Sequence, residues 1–150
     1  MGRPTDIDQF DEYLHHGMVR ETKPDPAQAS SLLDGANRKY RNMERLGLSP
    51  DTATDYFENI YGAVKMLLQA FMANDGYKPY SHEAIIAYAI EDLGMTDRPA
   101  HRFNRCRKLR NDISYRGDVA TLKEGREIRA MYLALTGRLE PELRAVLDTD

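Results

Sequence analysis

Tyr56-Phe57-Glu58-Asn59-Ile60-Tyr61-Gly62-Ala63-Val64-Lys65-Met66-Leu67-Leu68 decides the fold. Read at helical period with Phe71 and Met72, its apolar side chains cover most of a helix circumference. Only a stripe through Glu58, Lys65 and Gln69 stays polar. A helix apolar on more than one face must be covered on more than one side. It is the centre of a bundle, or part bundle and part dimer interface. The helix is expected over about Pro50 to Asn74, started by Ser49-Pro50 and ended at Asp75-Gly76. Gly62 costs about 1 kcal/mol relative to Ala within it, which points to a close helix contact.

The flanking punctuation is also helical. Upstream, Asp25-Pro26-Ala27-Gln28 reads as a capped start, with Asp as cap, Pro in the first position and Gln reaching back. Leu32, Leu33, Ala36, Tyr40 and Met43 then keep helical period to Gly47. Before it, Ile7, Phe10 and Leu14 indicate a short helix closed by Gly17. Downstream, Ser81 is a good cap, and Ile85, Ile86, Ala89, Ile90 and Leu93 form a stripe ending at Gly94. A basic helix follows from about Asp97 to Tyr115 and breaks at Gly117. Thr121 and Glu124 make a capping box for the last long helix, whose stripe is Ile128, Met131, Tyr132 and Leu135. A short tail helix is expected from Glu140-Pro141. No strand-period run, repeat or low-complexity stretch occurs. Short connections favour antiparallel neighbours. The expectation is an all-α antiparallel bundle of about five helices with a four-helix up-and-down core. Residues 1–24 read as an N-terminal extension with a short helix, and 25–150 as the bundle.

At 150 residues the chain fits one domain with a real core. Apolar content of 41% and charged content of 30% suit a folded globular protein and exclude a disordered one. The single Cys106 excludes an internal disulfide and a multi-cysteine zinc site, and fits a reducing compartment. Acids crowd the N-terminus where a signal peptide would be apolar, and no run of about 18 apolar residues is present. The expected location is the cytoplasm, without a membrane.

The net charge of −3 conceals an asymmetry. Arg98, Arg102, Arg105, Arg107, Lys108, Arg110 and Arg116 face only Asp112 within their stretch, a local +6 that leaves −9 elsewhere. Two readings follow: an anionic partner for this face, or a solvated face neutralised by acids of neighbouring helices. On a wheel of about 100° per residue, Phe103, Cys106, Leu109 and Ile113 form an apolar arc, and Arg110 lies within it. An inward Arg needs a partner, because its desolvation is otherwise uncompensated. Either Glu58 or Asp55 pairs with it, or it faces a pocket and holds phosphate with its planar fork of donors. Asn111 and Tyr115 share a second face with Arg107 and Asn104. Amide, phenol and guanidinium together suit a nucleotide, with Arg on phosphate and Tyr stacked or hydrogen-bonded.

His15 and His16 lie in the N-terminal stretch, His82 follows a helix cap and reads as local packing, and His101 begins the basic helix. None has metal-ligand spacing, and no Gly-rich phosphate loop or nucleophile motif occurs. No metal and no cofactor is expected. Cys106, on the apolar arc, reads as core.

From Asp25 to Leu135 the chain resembles the HEPN domains, small all-helical bundles. The resemblance rests on the Tyr56–Leu68 stretch, on Gly76-Tyr77-Lys78-Pro79-Tyr80-Ser81-His82-Glu83, and on Leu109-Arg110-Asn111-Asp112-Ile113-Ser114-Tyr115-Arg116-Gly117, in that order and spacing. It implies a homodimer whose two Arg-bearing helices meet at a shared cleft. In active members that cleft is a metal-independent ribonuclease, marked by an Arg, a polar residue directly after it, and a His about five positions beyond the Arg. Other members are toxins encoded beside a small nucleotidyltransferase, or bind nucleotides or partners only. Arg110 matches the signature Arg and Asn111 the polar residue, while Tyr115 stands at the His position. Metal-free cleavage needs proton transfer near neutral pH, which His at a pKa of about 6.5 supplies and Tyr at about 10 does not.

The expected site is therefore Arg110, Asn111 and Tyr115 as the positions of the catalytic signature, with Arg107, Arg110, Asn111, Ser114 and Tyr115 holding a nucleotide or RNA phosphate at a dimeric cleft. The protein would belong to a toxin–antitoxin-like or nucleotidyltransferase-linked system, with a nucleotidyltransferase as partner protein. The alternatives are an endoribonuclease with Tyr for His, and a non-enzymatic interaction module in which Arg110 is ion-paired.

Overall fold

The computed structural model describes residues 2–148. Its elements are α1 (Phe10–His15), β1 (Val19–Glu21), α2 (Pro26–Leu46), α3 (Ala53–Asp75), β2 (Tyr77–Pro79), α4 (His82–Glu91), α5 (Asp97–Arg116) and α6 (Leu122–Leu147). The protein is an all-α bundle. Its long helices are α2, α3, α5 and α6, and α1 and α4 bring the helices among the described residues to six; α4 is itself in the core, buried from Ala84 to Ala89.

α3 is the centre, as its apolar circumference requires. It packs against α2, α4, α5, α6 and β2. Tyr56, Phe57, Ile60, Tyr61, Val64, Leu67, Leu68 and Met72 on it are all buried. The close helix approach falls elsewhere than at Gly62. It is at Gly35 of α2, where an added Cβ would stand 2.5 Å from Met66 Cε. A Cβ on Gly62 would meet only the Lys39 stem, at 3.8 Å. Gly62 instead lines a surface groove between α2, α3 and α5.

Asp25, Ser81 and Thr121 cap as the sequence indicates, but Gln28 does not close the expected box, because the Asp25 N–H donates to the Ala73 carbonyl instead. Asp25 accepts from the Gln28 N–H, Ser81 from the Ala84 N–H, and Thr121 and Glu124 close a reciprocal box. α3 begins three residues later than expected, because Thr52 Oγ1 turns back to donate to the Gly47 carbonyl and accepts from the Ser49 N–H. α6 runs through Gly137 and Pro141 without a break. Pro141 removes one N–H bond, but Leu135, Leu139 and Leu143 continue a buried stripe at four-residue spacing, and that burial holds the helix together.

Residues 2–24 are built into the bundle. Ile7, Phe10, Tyr13 and Val19 are buried in the common core. Phe10 meets the rings of Tyr77 and Tyr88, and its N–H donates to Glu91. β1 pairs antiparallel with β2, Val19 opposite Pro79 and Glu21 opposite Tyr77. Strands of three residues are too short to show a period of two, so they leave no trace in the sequence pattern. Gly76 sits at φ +87, and a Cβ there would stand 2.7 Å from the Thr22 carbonyl oxygen. Only glycine lets α3 end that close to the chain leaving β1.

Candidate anion-binding groove

Arg110 projects from α5 toward α3. It is half-buried and lines a groove of about 440 Å³ with Lys39, Asp55, Glu58, Tyr61, Gly62 and Lys65 among its walls. The groove follows the polar stripe of α3 that Glu58, Lys65 and Gln69 mark in the sequence. Glu58 and Asp55, the expected acid partners, line the same groove, yet neither comes within ion-pair distance of Arg110. Among the described residues Arg110 makes no ion pair and no hydrogen bond. Seven residues separate Glu58 from Lys65, about 10 Å along the helix. The groove is therefore bipolar along α3, acidic toward Asp55 and cationic around Lys65.

The cationic end contains a hydrogen-bonded chain that the sequence reading missed. His82, the first residue of α4, places Nδ1 3.0 Å from the Tyr61 hydroxyl and Nε2 3.5 Å from Lys65 Nζ. Tyr61 and Lys65 are one turn apart on α3, so both reach the same imidazole. The signal lay in the sequence as a Lys one turn from a Tyr on an otherwise apolar helix, but nothing there located His82.

Three groups register the positive field of this region. Burial, then Lys65, Arg110 and Arg107, push the His82 imidazole down to about 4, so it is neutral at pH 7. Burial, then Arg110 and Lys39, lower the Lys65 ammonium below its ordinary value. Burial raises the Tyr61 phenol well above its ordinary range, and the nearby Arg107 and Arg110 charges only partly offset this. An anion entering here meets donors without an acid counter-ion on Arg110.

The remaining expected site residues separate. Arg107, expected on the phosphate, is buried at 8% exposure and turned into the protein. It donates from Nε to Asn104 (2.9 Å), and its two terminal nitrogens pair with Asp6 (3.1 Å) and Glu83 (3.3 Å). Asp6 also accepts from Asn104 and pairs with Lys108 at 3.0 Å. Burial alone would raise the Asp6 carboxyl, but the Lys108 and Asn104 hydrogen bonds hold it below its ordinary value. Arg107 thus fastens the N-terminal stretch to α5 and α4, with each of its three guanidinium nitrogens engaged inside the protein. Asn111 is half-buried and Ser114 exposed, both beyond the groove walls. Tyr115 is 82% exposed and outside the groove. The structure brings Arg110 together with Lys65, Lys39 and Tyr61, and does not bring it together with Tyr115.

Cys106 is buried, and burial pushes its thiol up to about 12, which suits a core residue. Among the described residues no group of His, Cys, Asp or Glu could hold a metal ion, and no helix is long and apolar enough to cross a membrane. The chain matches no family model, no curated protein and no solved structure.

Proposed function

We propose that this chain is a HEPN-type protein that binds the phosphate of a nucleotide or RNA in the Arg110 groove, at a cleft completed by a second copy of the chain. One observation carries the reading. Arg110 is half-buried, lacks an acid partner among the described residues, and shares its groove with Lys65 and Lys39. A guanidinium desolvated without a counter-ion is poised for an external anion, and its planar fork suits phosphate. Asp55 and Glu58 at the other end oppose a polyanion laid along the whole groove. They are placed to accept from ribose hydroxyls or base amino groups. A mononucleotide, or one phosphate of an RNA segment, fits better than a continuous backbone. Exposed Tyr115 and Val119, at and just beyond the C-terminal end of α5, are the side chains we assign to the dimer contact or to a stacked base. The resemblance alone supports a toxin–antitoxin-like or nucleotidyltransferase-linked setting in the cytoplasm.

A metal-independent ribonuclease is the second reading, and His82 favours it. Its imidazole borders the cationic end, and at about 4 it needs the charge of a bound anion before it can take a proton near neutral pH. A bound phosphate would raise its proton affinity.

The test is fluorescence anisotropy of single-stranded RNA and of a labelled mononucleotide, in chelator, at about 50 and about 200 mM salt. Binding should weaken with salt, and Arg110→Ala should weaken it about tenfold or more. Affinity indifferent to Arg110→Ala overturns the assignment. Gel analysis of the same RNA separates binding from cleavage.

A further inference from the structure

Tyr61 is buried to 1% exposure, yet the residue forms part of the groove wall. Its hydroxyl has one hydrogen-bond neighbour among the described residues, His82 Nδ1 at 3.0 Å. Which of the two donates depends on the far side of the imidazole. There, Nε2 faces the Lys65 ammonium at 3.5 Å. An ammonium has only donors, and a neutral imidazole has one N–H and one lone pair. If Tyr61 donated to Nδ1, the single imidazole N–H would sit on Nε2 and point at the Lys65 donors. The opposite order satisfies every contact. Lys65 donates to Nε2, Nδ1–H donates to the Tyr61 oxygen, and the Tyr61 proton is left without an acceptor among the described residues.

Resting on the phosphate-groove reading, we propose that the Lys65–His82–Tyr61 chain directs the Tyr61 O–H into the groove, where it donates to an oxygen of the bound phosphate. Tyr61 is then a ligand-binding residue, and His82 is the positioning residue that sets the direction of its proton. The high proton affinity of the Tyr61 phenol keeps it a donor at all physiological pH, and the neutrality of His82 keeps a single imidazole N–H available to order the chain. The donor set so assembled comprises a guanidinium fork, an ammonium and a neutral hydroxyl. That is complementary to a tetrahedral oxyanion and offers it no buried acceptor, so a protonated amine ligand would find no partner at this end.

The arrangement makes a prediction that needs no ligand. Long-range proton–nitrogen NMR of the imidazole at pH 7 should show His82 as the Nδ1–H tautomer, and an Nε2–H tautomer overturns the proposal while leaving the groove reading intact. The second measurement is titration with inorganic phosphate. Tyr61→Phe keeps the ring, and should weaken phosphate binding about tenfold or more, as expected for a hydrogen bond to a charged group. His82→Asn keeps an N–H near the Nδ1 position, and should retain most of the affinity that His82→Ala loses. Thermal melts of each variant confirm that the fold is kept. Unchanged affinity in Tyr61→Phe, alongside loss in Arg110→Ala, removes Tyr61 from the site and leaves Arg110 in it. No phosphate or nucleotide binding by the unaltered protein overturns both.

Discussion

Arg107 and Arg110 lie three residues apart on α5, yet only removal of Arg107 should destabilise the protein. Arg107 is buried, with three hydrogen-bonding contacts to Asn104, Asp6 and Glu83 at 2.9–3.3 Å. Breaking a buried ion pair by removing one partner costs about 3–5 kcal/mol. The acids here are partly open to water, Asp6 with 42% and Glu83 with 36% side-chain exposure, and Lys108 stays on Asp6. Solvent screening reduces the loss, so Arg107→Met should cost about 2–3 kcal/mol. For a chain of this size that is about 4–12 °C in Tm. Arg110 makes no pair among the described residues and lies in the field of Lys65 and Lys39. Arg110→Met keeps the stem and removes the charge, and relief of the like-charge interaction with Lys65 is worth about 0.2–0.5 kcal/mol. Stability should be unchanged or rise. Urea denaturation read by circular dichroism, with the midpoint and slope fitted separately, measures both. Equal destabilisation by the two variants would refute the division of labour, since Arg110 would then hold a structural partner. A double-mutant cycle of Arg107→Met with Asp6→Asn should show coupling of about 1 kcal/mol or more, and Arg110→Met with Glu58→Gln almost none.

Other perturbations address the same core and groove. His82 is lowered to about 4 in the folded state against about 6.5 unfolded, so the unfolded chain binds its proton first as pH falls. Its stabilising contribution is complete above about pH 6.5 and is lost as pH drops toward 4. Because the ring is half-buried, the loss should stay below about 3 kcal/mol. The slope of urea midpoint against pH between 7 and 4 should therefore flatten in His82→Asn, and an NMR titration of His82 near its unfolded value would refute the placement. Gly62→Ala should stabilise by about 1 kcal/mol, because only the Lys39 stem lies near, at 3.8 Å. Gly35→Ala should gain less than Gly62→Ala, because Met66 Cε, the movable end of a half-buried side chain, lies 2.5 Å from the new methyl and must shift. A melt that reverses that order would overturn the packing of α2 on α3.

The helices were legible because their causes are local. Asp25, Ser81 and Thr121 cap within three residues of themselves, and the stripes of α3 and α4 repeat within one turn. The N-terminal stretch was underread. Its apolar residues are few and follow no long period, and their partners Tyr77, Tyr88 and Glu91 are more than sixty residues away. Tyr115 reads as a site residue only through its position on a motif. A helix wheel gives direction from the helix axis, but it does not give which neighbour stands there.

From sequence alone followed a bundle with an over-apolar central helix, a basic α5, and Arg110 as an inward cation. Each depends on side-chain spacing, which one-dimensional order preserves. Tertiary structure alone decided which cations are neutralised. Arg107 meets Asp6 across 101 positions of chain, while Arg110 meets Lys65 and Lys39 in place of an acid. Coulomb energy depends on distance through space and on the water removed between charges, and neither is written in the order of residues.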